Sequence, residues 1–72
     1  MQQSAKHFSE QLNKCLDDLG VPTGRDRAVI LGKMLHIPKQ QAWSLLEGHQ
    51  LPDDSLLHQI TIELEVDAHY FK

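Results

Sequence analysis

Five histidines (His7, His36, His49, His58 and His69) and one cysteine, Cys15, are the side chains best able to ligate a metal or act as a nucleophile. No pair of them stands in His-x-x-x-His or Cys-x-x-Cys spacing, the patterns that bring two ligands to one helix face or one tight turn. Cys15 lies on an apolar stripe, where a thiol behaves as a small hydrophobe. The chain shows no glycine-rich phosphate loop and no carboxylate pair set in a pocket. The expectation is therefore a protein with no metal, no cofactor and no enzymatic activity. Polar chemistry of another kind gathers between residues 24 and 50. Arg25, Arg27, Lys33 and Lys39 oppose Asp26 and Glu47 there, a balance of +2, while the rest of the chain sums to −5. A mildly basic segment in an acidic frame is the asymmetry that one nucleic-acid face would produce; charge scattered over an ordinary surface is the plainer alternative.

Seventy-two residues, 40% of them apolar, suffice for one domain with a core and not for two. A domain this small buries only roughly 60% of the surface its unfolded chain exposes, so its helices must be well capped. The longest apolar run, Ala28-Val29-Ile30-Leu31, is far too short to span a membrane, and the polar start Met1 to His7 lacks the apolar stretch of a secretion signal. With a single cysteine no internal disulfide can form, which suits a reducing compartment, so a cytoplasmic location is expected.

Helical periodicity dominates the pattern. Phe8, Leu12, Cys15, Leu16 and Leu19 form one stripe, with Ser4 as cap and Gly20 as the left-handed terminator before Val21-Pro22. Thr23-Gly24-Arg25-Asp26 has capping-box spacing and should open a second helix that buries Ala28, Leu31 and Leu35, with Ile30 or Met34 at its margin. Gly32 inside it costs about 1 kcal/mol against alanine, which makes sense where another helix crosses closely. His36 is placed for positive φ, and Pro38 for the start of a short third helix that ends at Gly48 with Ala42, Leu45 and Leu46 inward. After the loop His49 to Pro52, Asp53 or Asp54 caps a fourth helix built on Leu56, Leu57, Ile60 and Leu64. Ala68 to Phe71 can add one further helical turn, giving five helices joined by short turns. Ile60 to Ile62 could pass for a strand, but the capped start and the i, i+4 leucines favour helix.

This register resembles the Cro and phage-repressor type of helix-turn-helix domain, the XRE family. The resemblance rests on Gly32 in the small-residue position, Leu35-His36-Ile37 in the turn, Gly48 as closing glycine and Pro52 after it. Leu57, Ile60, Leu64, Val66, Tyr70 and Phe71 fill the later apolar places, without a gap from Leu31 to Phe71. It implies a compact all-α, five-helix, lambda-repressor-like domain over residues 1–72, with its core at about 8–71. It also implies a recognition helix, about 38–47, lying in the major groove of double-stranded DNA. With Ala42 and Leu45 inward, the opposite side of that helix holds Gln40, Ser44 and Glu47, flanked by Lys39, Gln41 and Trp43. Lys39, Gln40 and Ser44 match positions from which relatives read bases, and Gln41 and Trp43 are the further candidates beside them. Glutamine can pair with adenine through two hydrogen bonds, and lysine can donate to guanine O6 and N7. Phosphate contacts are expected from Thr23, Arg25 and Arg27 at the start of helix two and from His49 and Gln50 after helix three. A surface pairing of the arginines with Asp26 or Asp17 is the structural alternative.

The chain departs from the family pattern at several points. Arg27-Ala28 stands where Thr-Gln is usual, His36 replaces the glycine of the turn, and Leu45-Leu46 replaces a common Trp-Glu pair. Trp43 sits at the helix edge, where a thymine methyl, a protein interface and the core rim are all open to it. The expected function is a repressor-like transcriptional regulator that binds specific DNA as a homodimer, with Leu64, Tyr70 and Phe71 as the candidate dimer surface and Ile62 beside them. The competing expectation is a protein-interaction module that keeps the fold without DNA; the acidic frame, Glu47 and Trp43 speak for it.

Overall fold

The computed structural model describes residues 4–71. Each helix starts where the sequence supplies a cap or a turn. Helix α1 (Ala5–Asp18) opens on Ser4, whose Oγ accepts from the His7 N–H at 3.0 Å. Helix α2 (Arg25–Leu35) follows Gly24, and α3 (Lys39–Glu47) follows Pro38. Helix α4 (Asp54–Leu64) opens on Asp53, whose carboxylate accepts from the Leu56 N–H. The chain then makes one 3-10 turn, Ala68–Phe71. Among the described residues there are thus four α-helices and a 3-10 turn, in place of the five helices expected. After the break at Val66-Asp67 the Tyr70 N–H bonds Asp67 O three residues back, the closure of a 3-10 turn.

All four helices end alike. Gly20, His36, Gly48 and Glu65 take positive φ, and the residue after each returns its N–H to a carbonyl five back: Val21 to Leu16, Ile37 to Gly32, His49 to Ser44, Val66 to Thr61. This is the six-to-one closure of a Schellman motif, which commonly tucks an apolar residue under the helix it ends. Val21, Ile37 and Val66 do so, packing at the edge of the core.

The apolar stripes converge on one core. Phe8, Leu12, Leu16, Leu31, Leu35, Leu45, Ile60 and Phe71 are its largest fully buried members. Helix α2 packs on α3 and α4, and α1 packs on α3 and on the 3-10 turn, where the Phe8 and Phe71 rings meet at 5.0 Å. The radius of gyration, 10.9 Å, matches the roughly 11 Å of a folded chain this long. No helix of the described residues is long and apolar enough to cross a membrane.

Several expectations need correction. Leu19 belongs to no core stripe: α1 stops at Asp18, the chain turns at Gly20, and Leu19 is left 55% exposed while Val21 takes the core edge. The capping box at Thr23 does not form, because Gly24 is the N-cap and Arg27, not Asp26, then stands at the third helical position. Leu64 and Phe71, expected on a dimer surface, are 2% and 0% exposed and serve the core of this domain. Tyr70 is half-buried, stacked edge-on against Phe71, and its buried hydroxyl has no hydrogen-bond partner among the described residues. Burial pushes the Tyr70 phenol and the Cys15 thiol above their ordinary pKa values, the nearby charge of Asp18 adding to both.

Candidate nucleic-acid interface

Helix α3 is carried on a three-residue turn whose geometry is over-determined. His36 closes α2 in the left-handed conformation at φ 57°. A Cβ on Gly32 would lie 2.9 Å from the carbonyl oxygen of Ile37, so the turn can fold back onto α2 only because residue 32 has no side chain. The expected close approach at Gly32 is therefore to this turn and to the backbone of Lys39 at the start of α3. Gln59, from α4, donates to Leu35 O at 2.8 Å and satisfies one of the carbonyls left over at the end of α2. At the far end of α3, Asn13 of α1 donates to Leu46 O at 3.0 Å, and Gly48 packs against α1. These contacts hold both ends of the helix.

With Ala42, Leu45 and Leu46 buried, α3 turns Lys39, Gln40, Trp43 and Glu47 to solvent. Gln41 and Ser44 are only partly exposed, at the flanks of the stripe. The five expected readers thus separate into an exposed set, Lys39, Gln40 and Trp43, and a partly covered pair. Among the described residues neither Lys39 nor Gln40 has a side-chain hydrogen bond or ion pair within the chain. Trp43 is 48% exposed, and its indole stacks on the His49 imidazole with centroids 5.1 Å apart and planes 25° apart. An open groove of about 460 Å³ is lined by Lys39, Trp43, Leu46 and Glu47 of α3 together with Thr23 and Arg25 at the start of α2.

Of the expected phosphate contacts, Thr23, Arg25, His49 and Gln50 are exposed. Gly24 makes no side-chain cap bond, so the first N–H groups of α2 remain open beside Arg25. Arg27 must be removed from the set. It is 4% exposed, and all five of its N–H groups are used inside the domain. Nε donates to Pro22 O, Nη1 to Asn13 O and Oδ1, and Nη2 to Val21 O and Asp17 Oδ1. The pairing with Asp17 that was the alternative is present, but Arg27 lies buried under it: the pair is one part of an internal clasp that ties the loop before α2 to α1. With Arg27 withdrawn, Arg25, Lys33 and Lys39 oppose Asp26 and Glu47, and the balance over residues 24–50 falls to +1.

Asn13 and Gln59, which fix the platform, were missed by sequence reasoning. A signal existed for Asn13, since asparagine is poorly placed inside a helix unless its side chain has a backbone partner. Nothing near Gln59 announces its target, which lies 24 residues away in the chain. Among the described residues no group of three His, Cys, Asp or Glu side chains is arranged to hold a metal ion. No protein-family model matches the chain, and neither a curated protein nor a solved structure matches it.

Proposed function

We propose that this protein is a sequence-specific DNA-binding regulator of the repressor-like helix-turn-helix kind, with α2 and α3 as the motif and α3 as its recognition helix. The observation that carries this reading is the pairing of exposed, internally unbonded Lys39 and Gln40 at the start of α3 with the open N-terminus of α2 and Arg25. An α-helix fits the major groove, about 12 Å wide, where ammonium and amide groups can read guanine and adenine edges. Backbone N–H groups at the start of α2 and the Arg25 guanidinium suit flanking phosphates.

A lone domain offers few base contacts. Two copies on half-sites about 34 Å apart would double them. With Leu64 and Phe71 in the core, the surface left for self-association centres on Ile62, 59% exposed, and Tyr70. Few free cations line the DNA-facing side, so salt dependence should be shallow for this class. With about two phosphates neutralised per domain, log K should fall with log salt at a slope of about −2 per domain.

The test is binding to duplexes selected from random DNA, measured by fluorescence anisotropy across a salt series. Selection should converge on a defined site, and Lys39→Ala with Gln40→Ala should abolish the preference while the circular dichroism spectrum is retained. Failure to bind at low salt, or binding indifferent to that double change, would sink the regulator reading. It would then favour the second one, a protein-interaction module on the same helices. Exposed Glu47 and Trp43 and the loss of Arg27 from the surface support that alternative, since a fold does not by itself fix a function.

A further inference from the structure

The end of α3 differs from the other three helix ends. There the residue that closes the terminal turn is apolar, Val21, Ile37 or Val66, and packs at the core edge. At α3 it is His49, exposed and stacked on Trp43. Gly48 makes the stack possible. Its φ of 78° turns the chain back, and a Cβ there would sit 3.1 Å from Ser9 Oγ and 3.3 Å from Lys6 Cα, so the turn is pinned against α1. The His49 N–H to Ser44 O bond, 2.9 Å, then sets the imidazole over the indole. An exposed tryptophan held this way loses little rotamer freedom on meeting a ligand. One face of the ring is covered by His49, and the remainder is a flat apolar surface on the same stripe as Lys39 and Gln40.

Resting on the DNA-binding reading, we infer that Trp43, braced by His49, is a specificity-determining residue that recognises the C5-methyl group of a pyrimidine in the major groove. The argument is one of matching. Base edges in that groove present hydrogen-bond donors and acceptors, which an apolar ring edge would desolvate without compensation; the exception is the methyl at C5 of thymine. The methyl of 5-methylcytosine occupies the same place and offers the same chemistry. Trp43 lies one helical turn from Lys39, so its base should neighbour the one that Lys39 or Gln40 reads.

Trp43 is the sole tryptophan, so its fluorescence reports the contact directly. The experiment uses the selected duplex with each thymine replaced in turn by deoxyuridine, which removes only the methyl. The expected result is one position per half-site at which affinity drops about fourfold, the value of one buried methyl-sized group. The Trp43 emission shift on binding should shrink with the same duplex. In Trp43→Gln that position becomes insensitive to the replacement, and in His49→Ala its sensitivity is reduced. Cytosine at that position, which also exchanges the base pair, should bind no more tightly than deoxyuridine, and 5-methylcytosine should gain over cytosine if the methyl alone is read; a gain only with thymine over deoxyuridine assigns the source to thymine. Overturning results are a duplex in which no deoxyuridine position matters, or an unchanged pattern of sensitivity in Trp43→Gln. Absence of any DNA binding would instead remove the underlying regulator reading, a distinguishable failure.

Discussion

Two neighbouring regions use the same kinds of polar side chain in opposite ways. At the junction of α1 and α2, buried Arg27 uses its donors on part-buried Asn13, on the exposed carboxylate of Asp17 and on the carbonyls of Pro22 and Val21. On the outer stripe of α3, Lys39 and Gln40 are exposed and have no side-chain partner among the described residues. The first arrangement builds a platform and the second leaves groups available. The difference turns on which face of its helix a residue occupies, not on residue type: Arg27 and Arg25 are two positions apart on α2, one 4% exposed and the other on the surface.

The contrast is broken most severely at Arg27. Arg27→Met should lower unfolding free energy by about 3 kcal/mol, because several part-buried acceptors lose their donors together, while Arg25→Ala should stay within about 0.5 kcal/mol. Urea unfolding of the two variants measures this directly, and equal effects would erase the distinction. Gly48→Ala comes next, at about 2 kcal/mol, because it combines left-handed strain with contacts of 3.1 and 3.3 Å to α1. Gly20→Ala, at φ 79° with nothing within 4 Å of the new Cβ, should cost about 1 kcal/mol from strain alone.

Smaller effects sharpen the same division. Asp53→Ala removes a cap bond and should cost about 1 kcal/mol, whereas Thr23→Ala, at a capping box that does not form, should be near neutral. His36→Gly should gain about 0.5 kcal/mol by relieving a non-glycine residue at φ 57°. Smallest of all, Lys39→Ala with Gln40→Ala should leave stability within about 0.5 kcal/mol while abolishing sequence preference.

Alkaline pH probes the inner region further. The thiol of Cys15 and the phenol of Tyr70 are both raised in the folded state, so the unfolded chain releases these protons first. Their contribution is complete below the unfolded thiol pKa of about 8.5 and is lost as pH rises through the folded values. Unfolding free energy should therefore decline above about pH 8.5. Tyr70→Phe, which also removes an unpartnered buried hydroxyl, should flatten that decline without lowering stability at neutral pH.

The sequence alone determined what repeats at short range. The stripes through Phe8, Leu31, Leu45 and Ile60, the cap at Ser4 and the terminators Gly20, His36 and Gly48 follow from residue type at helical spacing; Leu19 alone leaves its stripe, and of the two candidate caps Asp53 and Asp54 it is Asp53 that serves. Only the tertiary structure decided matters that depend on distant chain. It turned Arg27 inward toward Asn13, put Leu64 and Phe71 into the core rather than on an interface, set Gln59 on the end of α2 and laid His49 over Trp43. The physical reason is range. A helix face is fixed by its own 3.6-residue period, but whether a polar or aromatic group on its edge is buried depends on which other helix arrives there.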